Sequence, residues 1–412
     1  MKQIYQTLKG FRDFLPADKR ARDYVENKIK ESFQLFGFEP LETPTLEYAE
    51  LLTGKYGDEA DKLLYTFTDR GERKVGLRYD QTVPTARVLA QYQDQLGKGF
   101  RRYQIQPVFR ADKPQKGRYR EFAQCDADIF GSTDSISDAE ILAVYYNIYQ
   151  NLGLTDLVLR VNDRQTLFST LESFATDDVS VSSIIQSIDK LDKKSTEDVT
   201  QELVAKGLQE DSASQALVAI NSANKSDNLH SIIDSAVQLG VPENSLEFTP
   251  TLARGLDYYT GMIFEGILPG QSGSVGGGGR YDQLIESLGG PSTPAVGFGL
   301  GFDRTVQAAL DQGLVPTDDN ITRALVTIFS PDLQGQALKV ARELRSAGIN
   351  TEVYPDSTDK LGKQLKYANK KNTPFVLVIG EDEVRDNTVT LKNMETTKQS
   401  TLSLDQAIQE LS

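Results

Sequence analysis

Three stretches of the chain concentrate residue types able to hold a small polar substrate and stabilise charge on it. In the first, Val108-Phe-Arg110-Ala-Asp112 leads through Lys113, Gln115, Lys116 and Arg118 to Phe122-Ala-Gln124-Cys-Asp126-Ala-Asp128-Ile129. Period-two alternation puts Phe122, Gln124, Asp126 and Asp128 on one strand face, with Ala123, Cys125, Ala127 and Ile129 on the other. A face of amide and carboxylates suits a polar pocket, although a solvated outer sheet face carries the same pattern. The second stretch is Gly297-Phe-Gly299-Leu-Gly301-Phe-Asp303-Arg304. Its glycines share a face and leave bare backbone on which a flat ring can lie; close strand packing would select them too. Arg304 falls in the first turn of the following helix, where a guanidinium can stack on a ring while donating to phosphate. The third stretch is Arg254-Gly-Leu-Asp-Tyr258-Tyr259, followed by Gly276-Gly-Gly-Gly-Arg280-Tyr-Asp282. Strict alternation puts Tyr258 and Tyr259 on opposite faces unless the strand bulges near Gly255. The glycine run implies either close backbone approach to a ligand or a flexible turn. It is not a G-x-G-x-x-G in a βαβ unit, so a dinucleotide site is excluded.

Composition narrows the mechanism. One cysteine, Cys125, and one histidine, His230, in 412 residues exclude an internal disulfide framework, a cysteine-built zinc site and a histidine-rich metal centre. His230 lies in a polar helical stretch and reads as a surface or half-buried helix residue. The chemistry must then run on Arg, Asp, Glu, Tyr and Gln, with any metal held by carboxylates. A net charge of −14 argues against indiscriminate attraction to nucleic acid. From Ile321 to the end, however, 12 lysines and arginines face 12 acidic residues, so the acidic excess lies in the first 320. No apolar run is long enough to span a bilayer, and Met1–Thr7 has no signal-peptide core, which points to the cytoplasm and away from membranes.

The elements that must position these residues are legible in outline. A chain of this length implies two or three domains. Residues 18–36 read as an amphipathic helix with Tyr24, Val25, Ile29 and Phe33 at helical spacing. Residues 38–46 read as an extended segment and 62–81 as a hairpin turning at Asp69-Arg-Gly-Glu72; a strand pair flanks 111–119. Residues 165–250 read as a helical insertion, and strand-like glycine-rich sequence resumes at 252–302. Gly313–Asn320 is the best linker. Beyond it, strands at 324–329, 350–354 and 375–379 alternate with helices, implying a small α/β domain with a mainly parallel sheet. Its helix at 359–371 aligns Lys360, Lys363 and Lys370 opposite Leu361, Leu365 and Ala368, either a phosphate track or an ordinary solvated face.

These residues carry a resemblance. The Phe109-Arg110…Arg120 pattern resembles motif 2 of class II aminoacyl-tRNA synthetases, and Gly297-x-Gly-x-Gly-x-x-Arg304 resembles motif 3. Arg254–Tyr259 and Gly-Gly-Arg280-Tyr-Asp282 resemble two segments peculiar to the histidyl-tRNA synthetase family. Lys9–Pro16, Leu77–Pro84 and Ile188–Lys193 resemble further segments, all in the family's order.

The resemblance implies an α+β catalytic domain (1–318) with an antiparallel sheet of class II synthetase type, a helical insertion at about 165–250, and a C-terminal α/β anticodon-binding domain (321–412). It implies a homodimer formed through 18–44, and a reaction in which histidine and ATP give histidyl-adenylate before transfer to tRNA(His). By the same resemblance Asp80 and Thr82 hold the α-amino group, and Gln124 and Asp128 line the amino-acid pocket. Asp128 and Tyr259 partner the imidazole with Tyr258 beside them. Arg110 and Arg254 are the catalytic arginines and also touch the amino acid; Arg110, Asp112 and Arg304 serve ATP. Mg²⁺ accompanies the ATP phosphates, and the 111–119 loop meets the acceptor end of the tRNA. Asp112 and Asp303 stand where the class often has glutamate, and Phe11 where the family has threonine. The competing reading is a synthetase-like regulatory subunit of ATP phosphoribosyltransferase in histidine biosynthesis. That relative typically lacks the anticodon-binding domain and loses parts of the ATP motifs, whereas Arg110, Arg254, Arg304 and about 90 C-terminal residues are all present here. A class II-derived ligase for another acceptor is the third reading, disfavoured by the complete histidine pocket.

Overall fold

Pro16 opens the first helix, where its missing N–H costs no hydrogen bond, and Asp18 adds an acidic group to the first turn. The helix, α1 (Pro16–Leu35), ends at a glycine, Gly37, in the left-handed region at φ 73°. It buries Ala21, Val25, Ile29 and Phe33 along one stripe. Phe33 stacks on Tyr103 at 4.9 Å between ring centroids and on Phe298 at 6.1 Å, fastening the helix to the sheet beneath. The computed structural model in which these contacts occur describes residues 5–53, 62–113, 119–253, 258–271, 273–316 and 321–412. Its chain divides into two compact units, Met1–Val315 and Pro316–Ser412.

The first unit is built on an eight-stranded sheet. In chain order its strands are β1 (Glu39–Pro40), β5 (Arg101–Phe109), β6 (Glu121–Phe130), β7 (Val158–Asp163), β8 (Leu246–Phe248), β9 (Met262–Ile267), β10 (Gly276–Arg280) and β11 (Ala295–Leu300). In space they run β1-β5-β6-β11-β10-β9-β7-β8. The interior pairings are antiparallel, while β1–β5 and β7–β8 are parallel at the two edges. The antiparallel expectation thus holds across the centre, and the whole sheet is mixed. A separate three-stranded sheet, in the order β2 (Leu46–Tyr48), β4 (Lys74–Leu77), β3 (Thr66–Thr68), contains the expected hairpin.

The alternation of β6 decides which side of the large sheet is core. Cys125, Ala127 and Ile129 join α1, the helix Ser135–Asn151 and the helix Asp227–Gln238 in one apolar core. The helices Arg164–Leu171, Val181–Ile188, Thr196–Ala205 and Glu210–Asn221 contribute to a second core with Val83, Leu89, Tyr259 and Tyr281. Periodicity marks all five helices alike, but the last of them packs with the first core. His230 is exposed on that helix, as its surroundings suggested.

The glycine run Gly276–Gly279 is not a turn. It forms β10, in the interior of the sheet. A Cβ on Gly278 would come within 2.0 Å of the Gly297 carbonyl oxygen, and one on Gly276 would meet the Tyr145 hydroxyl at 2.7 Å. Side chains are excluded because strand backbones and Tyr145 occupy the space.

In the second unit the sheet order is β13 (Thr351–Val353), β12 (Ala324–Val326), β14 (Phe375–Val378), β15 (Val389–Asn393), β16 (Gln399–Leu402). The three expected strands pair in parallel. The last two add an antiparallel hairpin, so the sheet is mixed rather than mainly parallel. Their half-polar pattern, Val389-Thr-Leu-Lys-Asn393 and Gln399-Ser-Thr-Leu402, gives no strong apolar run to announce them. The unit has its own core around Val326, Val340, Leu344, Leu377 and Leu391.

Candidate active site

The polar face of the large sheet is assembled by register. Across β5, β6 and β11, Arg102 pairs with Asp128 and Asp128 with Gly297; Gln104 pairs with Asp126 and Asp126 with Gly299; Gln106 pairs with Gln124. Gly297 and Gly299 in turn pair with Gly279 and Gly277 of β10. Half of this face therefore carries amides and charges, and the other half is glycine backbone. Gly297 is required there by packing as well: a Cβ would stand 1.9 Å from an Asp128 carboxylate oxygen. The two explanations for the glycine strand, bare floor and close packing, apply at adjacent positions of one surface.

At one end of this face lies a cavity of about 240 Å³, lined by Arg110, Asp112, Gln124, Phe302, Asp303 and Arg304 among others. The Arg110 guanidinium sits 4.4 Å from the Tyr79 ring centroid and 5.2 Å from that of Phe122, and its Nε donates to the Tyr79 carbonyl at 3.1 Å. Two aromatic rings and one anchored nitrogen thus fix the plane of the fork. Arg304 is exposed and donates to the Ser274 carbonyl. Asp303 is bound by Arg12 at 2.7 Å and by Arg22 of α1. Arg12 also lies over the Tyr119 ring, 3.4 Å from its centroid. The shortened acid at 303 is therefore a tie between the N-terminal segment and the helix Phe302–Asp311. Phe11 meets Tyr65 edge-on at 6.4 Å, which is how the larger residue is accommodated.

Further along β6 the pocket becomes buried and acidic. Arg102 and Asp128 form an ion pair at 2.6 Å with side chains 1% and 7% exposed. Tyr281 donates its hydroxyl to the same carboxylate. Burial raises the Asp128 carboxyl above the ordinary range, against the opposing pull of Arg102 and the Tyr281 hydrogen bond. Burial likewise raises the Tyr281 phenol, with the Asp128 charge adding to it. Asp126, beside them, is pushed up to about 8, first by burial, with Arg102 opposing and Asp128 and Asp80 adding to the rise. Asp80 accepts from the Val83 amide at 3.2 Å, at the start of the helix Thr82–Gln91 that Thr82 opens. Gln81, fully buried, donates to the carbonyls of Gln106 and Gln124 at 3.1 and 2.9 Å.

Arg110, Asp112, Gln124 and Arg304 therefore meet around one cavity, while Asp80, Thr82 and Asp128 do not line it. Tyr258 and Tyr259 precede β9 rather than lying in it, so the opposite-face expectation fails and their rings pack 4.7 Å apart. They line a second, more open recess of about 600 Å³ with Arg164 and Phe168. Tyr259 also reaches over Gly279, and Tyr258 meets the Tyr281 ring edge-on at 6.1 Å. Arg254, with Asp257, lies outside the described residues, as do Gln115, Lys116 and Arg118 of the 111–119 loop.

The comparison with known proteins decides which family uses this geometry. The family described as Histidyl-tRNA synthetase matches residues 10–305, nearly the whole first unit. The chain belongs to the histidyl-tRNA synthetase family. The Anticodon binding domain family matches 320–412. The histidine–tRNA ligase of Cytophaga hutchinsonii is 38% identical, with 98% of both chains covered. The crystal structure of histidyl-tRNA synthetase from Nostoc sp. PCC 7120 superposes with a TM-score of 0.85 at 29% identity, covering 100% of this chain and 99% of that one. A structure from Bacillus halodurans described as an ATP phosphoribosyltransferase regulatory subunit/histidyl-tRNA synthetase shares the fold, with TM-score 0.74 and 20% identity over 89% of this chain and 97% of that one.

Three residues of the buried end, Arg102, Asp126 and Tyr281, were not among those the family resemblance singled out as site residues. Arg102-x-Gln104-x-Gln106 is itself an alternating polar pattern, and it was the available signal for a buried partner to the acids of β6. Arg280 of the Gly-Gly-Arg-Tyr-Asp segment has a different role. It is bound to Asp138, Asp282 and two carbonyls, away from the cavity lining.

Proposed function

We propose that this protein is a catalytically competent histidine–tRNA ligase that forms histidyl-adenylate on the polar sheet face and transfers the histidine to tRNA(His). The observation carrying this reading is the Arg110–Gln124–Arg304 cavity, with the buried Asp126 and Asp128 following Gln124 on the same face of β6, in a chain of the histidyl-tRNA synthetase family.

The geometry supports a division of labour along the strand. ATP lies over the bare floor near Gly299 and Gly301, with Arg304 and Asp112 at its polar edges. Arg110, fixed by Tyr79 and Phe122, meets the junction of the histidine carboxylate and the α-phosphate. Asp80 and Thr82 hold the α-amino group, and Gln124 lines the amino-acid pocket. Asp128, oriented by Arg102 and Tyr281, lines the imidazole end with Tyr259, and Tyr258 packs behind. Histidine's carboxylate is ionised at neutral pH and attacks phosphorus without a base. The protein's part is then alignment and stabilisation of charge on the phosphate oxygens, by Arg110 and Arg254. A reaction needing no general base suits a chain whose one histidine is exposed on a distant helix. Mg²⁺ would come with the β- and γ-phosphates as part of the substrate.

Residues 316–412 are the anticodon-binding part in this reading, the 111–119 loop receives the acceptor end, and the enzyme is a cytoplasmic homodimer through 18–44. Among the described residues no helix is long and apolar enough to cross a membrane. The regulatory reading is disfavoured by the C-terminal unit's match to an anticodon-binding family. The test is histidine-dependent exchange of pyrophosphate into ATP by the purified protein. Exchange well above background is expected, and its absence with folded protein would leave the regulatory reading standing.

A further inference from the structure

Resting on that reading of the site, we infer that Asp126 is a binding residue for the α-ammonium group of the substrate, alongside Asp80 and Thr82. Asp126 sits midway along β6 between Gln124, which lines the cavity, and Asp128, which the Arg102 ion pair and Tyr281 occupy. Successive residues on one strand face are separated by about 6.6 Å. An amino acid lying along the strand, its carboxylate toward Arg110 and its imidazole toward Asp128, brings its α-carbon over residue 126.

The unmet hydrogen bonds point the same way. Asp126 is 4% exposed, and its Oδ1 is buried without a hydrogen-bond partner. The Oε1 atoms of Gln124 and Gln81 are in the same condition. The three residues are neighbours: Gln81 donates to the Gln124 backbone, and the Gln124 side chain hydrogen-bonds Asp126. The two amide oxygens are acceptors, and the Asp126 oxygen becomes one when the carboxyl is ionised; an ammonium group brings three N–H donors and no acceptor. On the β11 side the partner of Asp126 is Gly299, whose missing Cβ would have stood 3.1 Å from Oδ1.

The charge balance agrees. The groups facing Asp126 are Asp80 at the helix start, Asp128 on its own strand and Arg102 on β5. Once ionised, the three carboxyls share one cation, and a bound ammonium supplies the second. Burial pushes the carboxyl up to about 8, so that it holds a proton at neutral pH. Arrival of the ammonium favours the carboxylate, so the proton leaves to buffer as the substrate binds.

The experiment compares L-histidinol, which has the ammonium, with 3-(imidazol-4-yl)propionate, which lacks it, by calorimetric binding to the full chain and to its Asp126→Asn variant. The variant should bind histidinol about 10- to 100-fold more weakly, the scale for losing a hydrogen bond to a charged group. Its affinity for the propionate should be unchanged, which also reports an intact fold. Proton release at neutral pH, read from the dependence of binding heat on buffer, should accompany histidinol with the wild type and disappear in the variant. Equal losses for both ligands, or no loss for either, would overturn the inference. So would the absence of any difference in proton release between the two ligands with the wild type. If the wild type exchanges pyrophosphate while the variant binds histidinol normally, only this inference falls. If the wild type binds neither ligand, the reading of the whole site falls with it.

Discussion

Arg102 and Asp128 face one another across β5 and β6 at 2.6 Å, both side chains almost wholly withdrawn from water. Bringing two charges into such surroundings is costly, and the pair repays that cost only while both members are present. Replacing Arg102 by Met leaves Asp128 buried with Tyr281 as its remaining polar partner. We expect the substitution to destabilise the protein by about 3–5 kcal/mol. Urea denaturation would measure it, and a loss below about 1 kcal/mol would mean that water reaches Asp128.

Arg110 is held by Tyr79 and Phe122, so its position should not depend on bound substrate. A donor fixed in advance contributes mainly to the transition state. Arg110→Ala should therefore slow single-turnover adenylate formation by about 10²–10³-fold with little change in stability. Arg254→Ala should do the same if both arginines converge on the α-phosphate. An unchanged single-turnover rate in either variant would remove that residue from the reaction.

How far the sequence reached depends on what each residue's position derives from. The polar face of β6 was legible because alternation is local: Gln124, Asp126 and Asp128 do share a side, and Cys125, Ala127 and Ile129 do point into the core. What the face meets was not legible. Arg102 opposes Asp128, and Tyr281 reaches it, through strand registers that no local pattern encodes. Tyr258 and Tyr259 depart from strand alternation because they precede β9 and are not part of it. The β15–β16 hairpin was not legible because its strands are short and half-polar and lack a strong apolar signal. The glycines were seen but not their cause, since Tyr145 comes to Gly276 and Gly266 from a helix distant in sequence.

The buried carboxyl of Asp126 gives stability a pH dependence of definite sign. Burial pushes it up to about 8 in the folded protein, from about 4 in an unfolded chain. Between these values the folded form keeps a proton that the unfolded form has released. Its contribution is fully present below the ordinary carboxylate range and is lost as pH rises toward 8. Asp126→Asn cannot titrate, so the variant should gain on the wild type progressively from about pH 4 to about pH 8. Denaturation midpoints of the two proteins across that range provide the check, and a constant gap would mean that the carboxyl is ionised throughout.

Residues 316–412 have a separate hydrophobic core, so a chain ending at Val315 should retain the sheet and both cores of the first unit. Pyrophosphate exchange by the shortened chain should persist, while tRNA charging should fall by at least about tenfold more than exchange does, a difference of about 1.4 kcal/mol or greater. Proportionate losses in both assays would contradict a tRNA-binding role for the second unit.

Arg280 illustrates a motif residue whose work is structural. Its Nε donates to both Asp138 oxygens at 3.1 Å, and Nη1 reaches the Ser132 carbonyl at 2.8 Å and Asp282 at 3.0 Å; Nη2 donates to the Asp134 carbonyl at 3.2 Å. These bonds join the end of β10 to the start of the helix Ser135–Asn151. A lysine keeps the charge but cannot present a planar fork to five acceptors at once. Arg280→Lys should therefore lower stability by about 1–3 kcal/mol through unmatched buried acceptors. The KM for histidine should stay close to that of the wild type, because Arg280 is not on the cavity wall. A large rise in KM with unaltered stability would instead make Arg280 a ligand-binding residue.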